Sequence, residues 1–286
     1  MTDRQTGRKP SFAERRRQMA RRTLDGDPQG WFIPYRYASE TLSRRSDYPV
    51  VRDLFQRSEP EFTRHLQRIS AYRSDLLNIG FDDEPPAPRW DQNWFPGLDA
   101  AAAYAMVRHH KPGRIIEVGS GHSTRFLARA VSDGGLGTAI TAIDPAPRAD
   151  LAGLGITFHR QIVQDAAPDT FATLQAGDVL SVDSSHILMQ GTDVDVLFAN
   201  ILPLLPAGVI VHIHDITLPD AYPPHWQGRE YNEQSGIAIL LGSGAWQPLF
   251  SSHWTRHHMA ALYRECAGFI PRPSEFLETS LWLEKL

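Results

Sequence analysis

The amino-acid sequence predicts an α/β protein built on a mostly parallel sheet with helices on both faces, and three observations carry that prediction. From residue 114 onward, short apolar runs alternate with helical patterns, the rhythm of strand–helix–strand units. Residues 113–121, Gly-Arg-Ile-Ile-Glu-Val-Gly-Ser-Gly, read as a buried strand running into a glycine turn and then a helix. Two later runs, 178–186 and 208–215, end in clusters of Asp, Ser and His, as strand tips opening on one cleft do.

In order along the chain, residues 1–10 read as disordered and Ser11 to Arg22 as a basic, solvated helix. An aromatic cluster follows (Trp31, Phe32, Ile33, Tyr35, Tyr37), then helices at 50–55 and 62–79, the second with apolar residues near helical period. Residues 81–96 are rich in proline and acid and form a linker; its Arg89, Trp90, Trp94 and Phe95 are anchored on the body or over a pocket. Region 1–96 is thus expected to be a helical extension that caps the C-terminal edge of the sheet, with Trp90, Trp94 or Tyr35 near an acceptor pocket. A main domain spans 97–270. It opens with an alanine-rich helix at 99–110, and strands are expected near 114–118, 139–144, 156–160, 178–183, 208–214, 246–252 and 259–265. Helices are expected near 122–133, 147–153, 168–175, 192–203 and 231–242, and the last two strands should pair as an antiparallel edge hairpin. The tail, 271–286, reads as an amphipathic helix for the body or for a second subunit of a homo-oligomer.

With 286 residues, 42% of them hydrophobic, the chain can bury one large core. Net charge is -4, split unevenly: residues 1–80 carry +6 and residues 81–286 carry -10. That asymmetry favours an arm complementary to the body over a nucleic-acid surface, since no stacking-aromatic motif accompanies the basic stretch. The single cysteine, Cys266, excludes an internal disulfide framework and a Cys-based zinc site. No run approaches the roughly 20 apolar residues of a membrane span, so a cytoplasmic location without membrane contact is expected.

The glycine turn at 119–121 invites a nucleotide-like ligand, and spacing narrows the choice. A dinucleotide fingerprint needs a third small residue where Thr124 stands. An acid, Glu117, instead sits two residues before Gly119, where it would repel a pyrophosphate and suit a cationic amino acid. Ser120, Ser123 and Thr124 can serve the first N–H groups of the helix. Asp144 ends an apolar strand 23 residues after Gly121 and can accept two ribose hydroxyls, or alternatively cap a helix before Pro145.

Glu-x-Gly-x-Gly at the end of a first strand resembles motif I of the class I S-adenosylmethionine (SAM) methyltransferases. Taken with Asp-Ser-Ser-His, His-Ile-His-Asp-Ile and Tyr-Asn-Glu-Gln, it resembles a bacterial group of small-molecule members of that superfamily, over roughly 95–265. The resemblance implies a Rossmann-like seven-stranded sheet in the order 3-2-1-4-5-7-6. It also implies SAM bound through Glu117, Gly119, Ser120, Gly121, Ser123, Asp144, Asp165 near adenine, and Asp183. More distantly the layout is similar to catechol O-methyltransferase-like enzymes, which places Asp183 and Asp215 at magnesium-binding positions and His186 where a lysine base would stand; Ile216 replaces the expected asparagine.

Two versions of the chemistry follow for O-methylation of a small-molecule acceptor. In one, His186 is the base beside Asp183 and His214, its ordinary pKa of about 6.5 being near working pH. In the other, Asp183, His214 and Asp215 hold a divalent metal such as Mg that acidifies the acceptor hydroxyl. His212, deeper in the same strand, is expected to be a satisfied core histidine, and His253, His257 and His258 to be solvated at the hairpin turn. The alternatives are a SAM- or metal-binding relative with another reaction, or a non-catalytic binding module.

Overall fold

The first strand is the axis of the molecule because it is buried from Ile115 to Val118 and pairs on both sides. The computed structural model describes residues 10–31, 33–41, 47–167, 169–271 and 276–286; the expectations for residues 1–9 and for Phe32 lie outside these. Strand β1 (Arg114–Val118) runs parallel to β2 (Ala139–Ile143), with Arg114 opposite Ala139 and Val118 opposite Ile143. Its other neighbour is parallel β4 (Val179–Val182), with Val118 opposite Val182. Beyond these lie β3 (Thr157–His159) and β5 (Ile210–Ile213), both parallel. Strand β7 (Leu281–Lys285) inserts antiparallel between β5 and β6 (Trp246–Ser251), giving β3-β2-β1-β4-β5-β7-β6. The tips of β1, β2, β4 and β5 therefore open on the same edge.

The seventh strand is not where the sequence reading puts it. Residues 260–265 lie in helix rather than strand, with Met259 as the cap before them, and the tail, read as a helix, supplies β7. Ala260–Ala267 is rich in strong helix formers and buries Tyr263, Cys266 and Ala267 at helical spacing. Leu281, Trp282 and Leu283 are all buried because both sheet faces are covered there; a run this short has no period to distinguish strand from helix. No direct β6–β7 hairpin forms, since two helices lie between these strands. Removing residues 281–286 is accordingly expected to abolish cooperative thermal unfolding by circular dichroism, whereas a tail lying on the surface would be removable with little change in Tm.

The N-terminal region contributes α1 (Phe12–Leu24), whose Ser11 and Glu14 form a capping box, a short α2 (Ala38–Thr41), then α3 (Pro49–Ala71) and α4 (Arg73–Leu77). Helix α3 is continuous through Pro60, where two helices were expected, because its buried face (Val51, Phe55, Phe62, Leu66, Ile69) keeps helical period across the proline. It covers the β6 edge, with Phe62 against Phe250 at 6.1 Å and Phe55 against Trp254 at 5.9 Å, which removes one open edge. Helix α5 (Gly97–His110) is buried on all sides from Leu98 to Val107, between α3 and α6 (His122–Asp133).

Residues 147–153, expected to be helical, form turns, since Pro147 and Gly153 interrupt them. The expected helices at 168–175 and 192–203 shorten to α7 (Asp169–Ala172) and α8 (Asp193–Val196), the latter continuing as a π turn over Leu197–Ile201 before Pro203. Helices α9 (Glu233–Gly242), α10 (Ser252–His258) and α11 (Ala260–Ala267) complete the second half. Among the described residues, no helix is long and apolar enough to cross a membrane.

Candidate active site

The glycine turn is shaped by the strand beside it. Gly119 has φ +80°, and a Cβ added to it would lie 1.7 Å from the carbonyl oxygen of Asp183 at the tip of β4. Both the backbone angle and the close approach therefore require glycine here. At Gly121 an added Cβ would meet nothing nearer than 3.7 Å, so the chain's own packing leaves room at that position.

Glu117 is fully buried behind the turn and is not among the residues lining the cavity. Its carboxylate accepts hydrogen bonds from the hydroxyls of Ser123, at 2.6 Å, and Thr124, while Thr124 Oγ1 in turn accepts from the Gly121 N–H. Ser123 and Thr124 thus fasten the helix to the strand end through Glu117. Burial pushes the Glu117 carboxyl up to about 8 against the hydroxyl hydrogen bonds that favour its charged form. Because this pKa is raised on folding, the native state binds the extra proton. The associated stability is complete below about pH 4.5 and is lost as pH rises toward about 8. The unfolding free energy should fall by up to about 1.4 kcal/mol per pH unit within that window, and Glu117→Gln should flatten this dependence in denaturant titrations; an unchanged slope in the variant would refute the assignment.

In front of the turn lies a cavity of about 510 Å³, walled by Gly119, Ser120, Asp144, Gln164, Asp183 and Ser184, with Trp31 of the N-terminal region on its rim. Asp144, at the tip of β2, accepts from Ser120 N at 2.6 Å, Ser120 Oγ at 3.2 Å and Ala146 N at 2.7 Å. These bonds fix its orientation while a carboxylate, with about four lone-pair sites, retains acceptor capacity toward the cavity. No helix follows for it to cap. Gln164, rather than the exposed Asp165, reaches the wall, and its side-chain amide donates to Gly191 O at 3.0 Å.

Beyond Asp183 the β4 and β5 tips meet in a ring of alternating charge. His186 Nε2 lies 3.4 Å from both Asp183 Oδ1 and Asp215 Oδ2, and His214 Nδ1 lies 3.5 Å from Asp183 and 3.6 Å from Asp215. Two further buried acids hold the outer nitrogens: Glu233 at 2.9 Å from His186 Nδ1, and Asp99 at 3.2 Å from His214 Nε2. Asp99 also accepts the N–H groups of Thr279 and Ser280, at 2.9 Å each. Burial alone would lower both imidazole pKa values, but the surrounding carboxylates outweigh it and hold His186 and His214 well above the usual range. With Glu233 on Nδ1 and two carboxylates facing Nε2, His186 is held toward its imidazolium form, in which both ring nitrogens donate. Asp183, flanked by these cations, is held well below the ordinary carboxylate range despite its burial. His186 (φ 61°) and Asp215 (φ 57°) both lie in the left-handed region, a cost that proteins concentrate at functional positions.

The same geometry answers the metal expectation. His186 Nε2 sits between the two carboxylates where a cation would, and among the described residues no group of three or more His, Cys, Asp or Glu is placed to hold a metal ion. The donor set of Asp183, His214 and Asp215 does not fit a divalent metal.

His212 is a core histidine, as expected: Nδ1 meets Ser181 Oγ and Nε2 meets Ser280 Oγ, each at 2.9 Å, the ring stacks on Trp282 at 4.5 Å, and burial brings its pKa down to about 3. His253 departs from expectation, being buried in α10 and paired with Asp220 at 2.9 Å, whereas His257 and His258 are exposed. Trp90 belongs to the core, against Phe126 at 5.2 Å; Trp94 lies under Arg148 at 4.1 Å, and Tyr35 is exposed. Among the described N-terminal aromatics, Trp31 is the one on the cavity wall. Asp99 and Glu233 had no assigned role in the sequence reading; each is an acid in the first turn of a helix that packs beside a strand tip.

Residues 116–216 match a family model for a methyltransferase domain, a span running from β1 through Asp215 and including the glycine turn, Asp144 and the charged ring. The likeness to a methyltransferase domain is confined to these residues. An uncharacterised protein of Archaeoglobus fulgidus is 31% identical over 134 residues, 41% of this chain; the chain spans 57% of that relative's length. Solved structures similar to this chain include the S-adenosylhomocysteine (SAH)-bound Podospora anserina methyltransferase PaMTH1. It shows 16% identity and a TM-score of 0.40, with 90% of this chain and 99% of that chain covered. Another is the O-methyltransferase TomG of Streptomyces achromogenes in complex with SAM, at 16% identity and a TM-score of 0.35, covering 71% and 90%.

Proposed function

We propose that this chain transfers a methyl group from SAM to an oxygen of a small-molecule acceptor, with SAM in the cavity before the glycine turn. The observation that carries the reading is the alignment of three strand tips around that cavity: Gly119 and Ser120 after β1, Asp144 after β2, and Asp183 after β4. Asp144 would accept the ribose hydroxyls, and Val163 and Gln164 would flank the adenine. SAM supplies an activated methyl that moves by in-line displacement, so the protein chiefly aligns the partners and receives the acceptor's proton.

That proton is assigned to Asp183. It is the carboxylate of the ring that lines the cavity, and its side chain keeps 21% exposure while His186 keeps 4%. A hydroxyl oxygen becomes strongly acidic as the methyl reaches it, so a carboxylate held anionic suffices to take the proton. His186 and His214 orient Asp183 and Asp215 from behind. Incubation with SAM and candidate acceptors, read by mass detection of a methyl adduct, tests the activity. EDTA is expected to leave the rate unchanged, because imidazoles fill the place of a metal; loss of activity on chelation, restored by added Mg, would overturn this part. Trp31→Ala is expected to weaken SAH binding, because Trp31 lines the cavity assigned to SAM; unchanged SAH affinity by calorimetry would take Trp31 out of that wall.

A further inference from the structure

Arg229 is a cation with no carboxylate at hydrogen-bond distance among the described residues, although it stands beside the charged ring. Its guanidinium lies 4.3 Å above the Trp226 ring and 5.5 Å from that of Tyr231, and its nearest carboxylate, Asp215, is 3.7 Å away. Asp215 is already engaged by His186, His214 and the hydroxyl of Thr279, at 3.2 Å. The side chain of Arg229 is 43% exposed, and ring stacking with the longer ion pair to Asp215 holds its guanidinium in place, with donors to spare for a ligand.

The surrounding segment is built to hold that position. Residues 224–229 form a 3-10 turn that ends at Glu230 in the left-handed region, and Glu230 pairs with Arg16 of α1. Tyr231 lies 4.5 Å from His186, and the Tyr222, Trp226 and Tyr231 rings contact one another at 5.9 Å. Tyr231, set edge to face against Tyr222 and the buried Trp226, thus stands between the carboxylates of the ring and a stacked guanidinium at the surface.

We propose, resting on the methyl-transfer reading above, that the acceptor is a planar hydroxylated acid: its hydroxyl meets Asp183, its ring lies along Tyr231, and its carboxylate is bound by Arg229. A planar guanidinium matches a carboxylate through two parallel N–H···O bonds, which a hydrated ammonium cannot reproduce. Flat rings favour a flat partner that can stack or meet them edge to face. Arg229 is in this account a specificity-determining residue that takes no part in bond making.

The test compares binding of salicylate, protocatechuate and caffeate with binding of their methyl esters, each in the presence of SAH, by ligand-observed NMR. In the unmodified protein the acids are expected to bind roughly fivefold to tenfold more tightly than the esters, the range for a partly exposed charged pair. In Arg229→Gln the preference should vanish, while Arg229→Lys should keep part of it; SAH affinity, measured by calorimetry, should stay constant across all three. Acids binding no better than esters, including the case in which neither binds, or a preference that survives in Arg229→Gln, would overturn the proposal. Failure of SAH itself to bind the unmodified protein would overturn the methyl-transfer reading on which it rests.

Discussion

Asp183→Asn should lower methyl-transfer turnover roughly 100-fold or more, the usual loss when a positioned proton acceptor is removed. The asparagine keeps the shape but cannot take a proton, and it leaves His186 and His214 with one of the two anions they share, Asp215. Removing one partner of a buried charge network also costs stability, about 3 kcal/mol or more, so turnover must be read beside Tm and SAH affinity. The account expects SAH to bind within a few-fold of the unmodified protein, since Asp144 and the glycine turn are untouched. Turnover within about threefold of the unmodified protein, in a folded variant, would remove Asp183 from the mechanism.

Gly119→Ala should be the most damaging single methyl group in the domain. It would place a Cβ 1.7 Å from Asp183 O, between two backbone segments that are each fixed by sheet hydrogen bonds: Gly119 N to Ile143 O at 3.0 Å and Asp183 N to Val118 O at 2.9 Å. Overpacking and the left-handed backbone together should cost about 3 to 5 kcal/mol, which corresponds to a Tm loss on the order of 10 °C. Gly121→Ala, with nothing nearer than 3.7 Å, should melt close to the unmodified protein. Equal Tm values for the two variants would mean that the turn is not held against β4 as described.

The stretch from β1 to α6 was legible because it is local: five strand residues, a glycine turn and a helix face are read within twenty positions. Asp144 and Asp183 were legible for a related reason, since a strand-ending acid announces its own place at a sheet edge. Strand β7 was not, because Leu-Trp-Leu gains its meaning from β5 and β6, roughly 70 and 30 residues earlier in the chain. The ring around His186 was half legible. Its strand-tip members follow from topology, whereas Glu233 and Asp99 arrive from helices whose docking no spacing rule encodes. Glu233 changes the chemistry assigned to His186, since its buried carboxylate on Nδ1 adds to the two that face Nε2 and holds the imidazole pKa above its usual range.

Calorimetric titration of the unmodified protein and of Asp144→Ala with SAH and with NAD tests the central claim most directly. The account predicts one SAH bound per chain, no NAD binding, and a loss of SAH affinity of roughly tenfold or more in Asp144→Ala, as expected when two charge-assisted hydrogen bonds to a diol are removed. Binding of NAD with no binding of SAH, or SAH affinity unaffected by Asp144→Ala, would contradict it.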